Sequence, residues 1–239
     1  MRWRWLAPTL ATVAAVLLLA AGPTVRLGLW DFRTGFQMLR WAAYLGIAAA
    51  VVALITLLTP ARRGVVGPLV LALLAGAGVA FVPWRWLQLA RRLPSIHDIT
   101  TDTEQPPEFV AVLRLRVGAP NPATYGGAEI AAAQREGYPD IRPLFLKLSP
   151  SAAFHRAQAT AERMHWDLVA TDSAAGRIEA TATTPWFGFK DDVVIRVMPA
   201  SMGSRVDIRS VSRVGGSDVG ANARRIRKFL GEMQEGSKQ

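Results

Sequence analysis

Apolar residues are distributed unevenly along this chain. Three runs stand out, Leu6 to Ala21, Leu39 to Leu58 and Val65 to Val82; the first and third contain no acidic or basic residue, and the second contains only Arg40, at its start. Each has about the length needed to cross a hydrocarbon layer of roughly 30 Å, and together they predict three transmembrane spans near 6–22, 39–59 and 65–83. Tryptophan falls where the runs end: Trp3, Trp5, Trp30, Trp41, Trp84 and Trp86 flank the spans. An amphipathic ring sits well at headgroup depth. Residues 84–93, which mix aromatic, apolar and basic side chains, are expected to carry the third helix into that interface. Arg2 and Arg4 before the first run also fit a secretory leader with a small-residue cleavage candidate at Leu19–Gly22. The two later runs keep the chain in the membrane either way, and the first is taken as retained.

Beyond Pro94 the pattern changes. Residues 94–148 form a proline-rich connector, with an apolar strand expected at Phe109 to Val117 and a short helix before Tyr138. From Ser149 the pattern becomes regular. Ser149 or Ser151 can cap a helix whose apolar face is Phe154, Ala157, Ala161 and Met164. Four segments then alternate with period two: Trp166 to Thr171, Arg177 to Thr184, Val193 to Met198 and Arg205 to Ser212. Short polar turns join them, which predicts an antiparallel meander with one packed face and one wet face. A last helix is expected from about Asp218 to Gln234, capped by Ser217, with Val219, Ala223, Ile226, Leu230 and Met233 on one stripe. The expected fold is α+β: three N-terminal transmembrane helices (1–93), the connector, then a two-layer α/β sandwich over 149–239. Both helices should lie on one face of the four strands.

Charge sharpens this division. The chain has 239 residues, 51% apolar, a net charge of +10 and a pI near 11.1. Residues 1–94 hold ten arginines against one acid, Asp31, a net +9; residues 95–239 hold 18 basic and 17 acidic residues, a net +1. A nucleic-acid binder would concentrate its excess on the folded domain, so nucleic acid is set aside. Placing the N-terminus inside puts Arg2, Arg4, Arg62 and Arg63 with the terminal amine on one side. Arg26, Arg33, Arg40, Arg85, Arg91 and Arg92 then lie on the other. The balance does not fix the orientation. A compact turn at Pro60–Gly64 reads as a cytoplasmic hairpin and favours an external domain. The absence of cysteine excludes disulfides, thiolate nucleophiles and zinc–thiolate sites.

Two segments carry a resemblance. Phe187-Gly-Phe-Lys-Asp-Asp-Val-Val, followed by Arg-Ser-x-Ser-Arg-x-Gly-x-Ser-Asp-x-Gly-x-Asn at 209–222, resembles the domain of unknown function 1499 family. Ile96–Asp102 and Tyr138–Ile141 are similar to the segments that precede the domain in membrane-anchored members, so the resemblance spans about residues 95–232. It implies no activity. It does imply an extracytoplasmic domain, here on a multi-pass protein of a bacterial inner membrane.

The candidate chemistry lies in the same motif. The inward face of the last strand should read Val206, Ile208, Ser210, Ser212, ending at a glycine pair and a helix N-terminus, where unpaired N–H groups favour anions. Arg209, Ser212, Arg213, Ser217, Asp218, Asn222 and Asp191 are therefore the expected ligand-binding set, for a small anionic group. The competing reading has the serines capping the helix and Arg213 paired with Asp191 or Asp218. Asp191 and Asp192, adjacent at a turn, should point to opposite faces, one paired with an arginine and the other solvated. His97 beside Asp98 is a weak base or metal candidate, and His155 and His165 are not spaced to chelate. Trp186 to Phe189 is expected to complete a core beneath a turn, with membrane contact as the lesser option. No catalytic motif, metal site or cofactor fingerprint is present. The expected function is a non-catalytic binding or interaction module at the cell envelope. Its partners would be the lipid bilayer and either another envelope protein or a small anion; the alternative is an envelope enzyme working at the Arg209–Asn222 corner.

Overall fold

The structure, a computed structural model, describes residues 3–235; Arg2, counted above among the flanking charges, lies outside them. Contacts divide the chain into two units. The first holds the residues through Arg91 together with Pro185–Gly188, and the second holds Arg92–Thr184 and Phe189 onward.

The first unit is built on helices α1 (Leu6–Arg26), α2 (Phe32–Leu57) and α3 (Val66–Arg92). All three are long and apolar enough to cross a membrane. They overrun the apolar runs at several ends, α1 and α3 passing through Pro23 and Pro83, each of which costs one i to i−4 hydrogen bond. Asp31 caps α2 by accepting from the Thr34 amide at 2.8 Å, and α3 continues through Pro83 to Arg92. Their buried faces are rich in small residues: Ala7, Ala11, Ala14 and Ala21 on α1, Gly35, Ala42, Gly46, Ala49 and Ala53 on α2, and Ala72 and Gly76 on α3, with Leu18, Leu69 and Val79 among them. Such faces let backbones approach. A Cβ at Gly46 would lie 2.7 Å from the Gly76 carbonyl oxygen, and one at Gly76 would lie 2.5 Å from that of Gly46. Trp186 and Phe187 pack in this unit. The Trp186 ring occupies the space a Gly22 side chain would need, and Phe187 meets Phe36 edge-on at 5.4 Å.

The second unit is one antiparallel sheet with helices on it. Its strands are β1 (Asp98–Thr100), β2 (Leu144–Leu146), β3 (Asp167–Asp172), β4 (Arg177–Thr183), β5 (Lys190–Ala200) and β6 (Gly203–Ser212). The four expected strands form the meander β3-β4-β5-β6, and the connector adds β1 and β2, both paired to β6. Helix α4 (Gly127–Gly137) lies between β1 and β2, α5 (Pro150–Arg163) precedes β3, and α6 (Ala221–Glu235) follows β6. Ser149 caps α5 by accepting from the Ala152 amide at 3.2 Å. As expected, α5 and α6 cover one face. Ala153, Phe154, Ala157, Ala161, Ala223, Ile226, Phe229 and Met233 meet Ile178, Ala180, Val193, Ile195, Val206 and Ile208 in a single core.

Three expectations are corrected. Phe109–Val117 is not a strand: Ala111–Arg116 forms a 3₁₀ turn, because the amides of Val110, Ala111 and Val112 are all drawn to the Glu179 carboxylate at 3.0–3.1 Å. The second face of the sheet is not wet. Glu179, Thr181, Asp192, Asp207 and Arg209 point there, yet all are buried. Phe109 and Val112 close over Val194 and Val211 on the same face. Asp191 and Asp192 lie inside the β5 ladder, opposite Ser212 and Val211, rather than at a turn.

Candidate functional site

After Ser212 the chain turns through a glycine pair and enters α6 at Ala221. Val219 and Gly220 both adopt left-handed backbone, with φ of 49° and 72°. For a β-branched residue this conformation is strained and must be held by its surroundings. Asp218 supplies the hold: its carboxylate accepts from the Gly220 amide at 2.8 Å and the Asn222 amide at 2.7 Å. Asp218, and not Ser217, is therefore the residue that caps α6; Ser217 accepts only from the Val219 amide, at 3.2 Å. Burial raises the Asp218 carboxyl above its ordinary value. The two amides offset this in part, and nearby Asp191 adds to it.

The seven expected site residues fall on two faces of the sheet. On the helix-covered face, Ser210 donates to the Asn222 side-chain oxygen at 2.7 Å, and the Asn222 amide group donates to Ser212 at 3.0 Å and to the His97 carbonyl at 3.0 Å. Arg225 completes this network, donating to Ser210 at 3.0 Å and to Asp191 at 2.5 Å, and also to Asn222. Asp191 and Asn222 thus meet around a cation, Arg225, that was not among the candidates, and Ser212 joins them through Asn222.

Arg209 and Arg213 face the other way. Arg213 binds Asp192, at 2.8 and 2.9 Å, rather than Asp191 or Asp218. Asp192 also accepts from Arg116 at 2.6 Å and from Thr181 at 2.8 Å. Burial opposes its ionisation, but the hydrogen bonds from Arg213, Thr181 and Arg116 outweigh that and hold the carboxyl below its ordinary value. Asp191 and Asp192 are consequently both buried and both paired with arginine, where one was expected to be solvated.

The Arg209 guanidinium makes two bonds to Asp98, at 2.9 and 2.7 Å, and donates to the carbonyls of Ala123 and Pro107. The rings of Phe109 and Tyr125 lie 5.0 and 5.4 Å from it. Asp98 is thereby taken up by Arg209 rather than serving His97. Burial, with the nearby Asp98 charge, pushes the Tyr125 phenol up to about 12. Further along the face, Asp207 and Asp102 share Arg196 and Arg205 at 2.6–3.0 Å, and Glu179 holds Arg177 at 3.1 Å. Burial works against ionised Asp102. The amides of Gln105 and Glu104, followed by the two arginines, still bring it below its ordinary value.

Five carboxylates and six arginines therefore neutralise one another on this face. A buried charge is tolerated only when so paired. Arg116, Glu179 and Asp207 were not among the candidates read from the sequence, and Asp98 was considered only as the neighbour of His97. A signal for three of the partners was present: alternation in the strands places Glu179, Thr181 and Asp207 on the face opposite the core.

This arrangement leaves little open chemistry. A nucleophile or general base must reach a substrate in a cavity, and the corner groups instead reach one another. The described residues form open surface grooves elsewhere. One, of about 500 Å³, is lined among others by Glu104, Glu108, Arg177, Val194 and Arg196; another, of about 300 Å³, by Asp140, Arg142, Arg227 and Leu230. Neither contains any of the seven expected site residues. Among the described residues no group of three or more His, Asp or Glu side chains is placed to hold a metal ion.

Comparison with curated proteins finds no match. Comparison with family models matches residues 98–233 to a family described as a protein of unknown function, DUF1499, and the matched segment takes in both faces of the sheet and the β6–α6 corner. The chain belongs to the DUF1499 family.

Proposed function

We propose that this protein is a membrane-anchored, non-catalytic interaction module of the bacterial cell envelope, held by α1–α3 in the inner membrane with the sheet unit on the periplasmic side. Three apolar helices support the anchoring. One observation carries the interaction reading: the sheet unit pairs its buried charges internally, yet within residues 110–117 it exposes four large apolar side chains. Val110, Leu113 and Leu115 on or beside the 3₁₀ turn are about half exposed, and Val117 is 88% exposed. A cluster of exposed apolar residues on a domain marks a contact surface. A small-anion site at the Arg209–Asn222 corner has less support, because Arg209, Arg213 and Arg225 already hold carboxylates.

A photo-crosslinking amino acid placed at Leu113 or Val117 of the full-length protein in intact cells should give one discrete adduct. The same probe at exposed Phe145, on β2, serves as the control. Adducts equal at the three positions, or absent at Leu113 and Val117, would end the reading. The anion alternative is tested by titrating inorganic phosphate against the purified full-length chain. Saturable stabilisation in wild type that Arg213→Ala abolishes would establish it in place of the interaction module.

A further inference from the structure

The first unit contains a charge pattern that the anchoring alone does not explain. Arg33, Gln37 and Arg40 are exposed on α2. Seven residues separate the two arginines, which on a 3.6-residue helix returns them to nearly the same direction. Gly35, Ala42, Gly46, Ala49 and Ala53 form the buried side of this helix, roughly opposite. Tyr44 and Trp41 continue the exposed stripe, their rings 5.9 Å apart.

The Gly46–Gly76 contact sets α2 against α3 in antiparallel register. Counting equal steps from that contact brings Gln37 level with Arg85 and Met38 level with Trp84. Arg33, Arg40, Arg85, Trp41 and Trp84 thus belong to one end of the two helices, in a zone about 12 Å deep centred on the level of Met38 and Trp84. About 28 Å separates it from the level of Leu57 and Val65, at 1.5 Å per residue, which is the thickness of a hydrocarbon layer. Residues 3–91 contain a single acid, Asp31, and its carboxylate is engaged at the start of α2. Within their own unit the arginines of this band therefore have almost no carboxylate to neutralise them, in contrast to those of the sheet.

We propose that the Arg33–Gln37–Arg40 stripe of α2 binds the phosphate headgroups of anionic phospholipids, with Tyr44 and Trp41 seated at the acyl boundary beneath. The inference rests on α1–α3 crossing a bilayer. Two guanidinium groups aligned along one helix offer paired donors to phosphate, and each basic residue near an anionic surface adds to the attraction.

The test uses the full-length chain. Flotation with neutral phosphatidylcholine vesicles comes first; a chain that fails to float would end the membrane reading, and this proposal with it. Native mass spectrometry of the detergent-solubilised chain then compares bound phosphatidylglycerol, phosphatidylcholine and inorganic phosphate. We expect a preference on the order of tenfold for phosphatidylglycerol over phosphatidylcholine. Arg33→Gln with Arg40→Gln should bring it near parity, while Arg62→Gln with Arg63→Gln, at the opposite end of the helices, should leave it in place. Equal retention of the two lipids, or a preference that survives the α2 double substitution, would overturn the proposal while leaving the membrane reading intact. So would inorganic phosphate binding as well as the lipid, since the site would then recognise the free ion.

Discussion

The two faces of the β4–β6 ladder are made by alternate residues of the same strands, and they solve burial in opposite ways. Ile195 and Asp192 are both wholly inaccessible to solvent. Ile195 lies under α5 and α6 in an apolar core, where burial is itself favourable. Asp192 faces away, and its burial is tolerated only because Arg116, Arg213 and Thr181 surround it. An apolar face tolerates small losses of packing gradually. An ionic face does not, because removing one partner strands the others without water.

That difference can be broken or sharpened by substitution. The largest effect is expected for Asp192→Ala, which leaves Arg116 and Arg213 without their shared carboxylate. A loss of about 3–5 kcal/mol should appear in denaturant melts of the full-length protein in detergent. Replacing all three charged residues together (Asp192→Leu, Arg116→Met, Arg213→Met) should recover most of that loss, since well-packed apolar groups can substitute for a buried ionic cluster. A triple variant no more stable than Asp192→Ala would show that the charges matter for more than one another.

Asn222→Ala comes next. It removes the bridge between Ser210, Ser212 and the His97 carbonyl, and a loss of about 1–3 kcal/mol is expected in the same melts. On the apolar face, Ile178→Val should cost only about 0.5–1.5 kcal/mol. The exposed pair Arg227–Asp140 should matter least: Arg227→Gln should change stability by at most about 1 kcal/mol, with any effect fading at high salt.

The carboxylates also differ in the sign of their pH dependence. Asp192 and Asp102 titrate below their ordinary 3.8. Their contributions are therefore complete above that value and are lost as pH falls through their folded values. Asp218 titrates above 3.8, so its contribution is present below that value and is lost as pH rises through its folded value. Asparagine at 218 removes the buried charge but keeps only one of the two oxygens that accept from the Gly220 and Asn222 amides. Relative to wild type, the stability of Asp218→Asn should consequently be most favourable at neutral pH and should fall as the solution is acidified. A relative stability that rose on acidification would contradict the assignment.

The meander and its two covering helices were legible because alternation and helical periodicity record which side of an element is apolar. Ser210 and Ser212 were correctly placed on the inward face for the same reason. Phe109–Val117 was misread as a strand because its apolar run fits either state, and the Glu179 carboxylate that gathers its amides lies some seventy residues away. The candidate site was legible as a segment and not as a constellation. Arg209 and Arg213 were grouped with Ser212 and Asn222 by nearness in sequence, while the pleat sends them to opposite faces. Arg225 was not among the candidates, because nothing local in the sequence connects it to Asp191.

By itself, the sequence determined the apolar helices, the near-neutral sheet unit, the alternation of its strands and the family, because each is written in neighbouring residues or in short periods. Only the tertiary structure decided which arginine meets which carboxylate and that the charged face is sealed. Those outcomes depend on segments distant in the chain, Asp98–Thr124 above all, closing over strands that carry no mark of what will cover them. An alternating strand specifies a polar side; whether water or an opposing charge satisfies it is fixed only when the chain folds back.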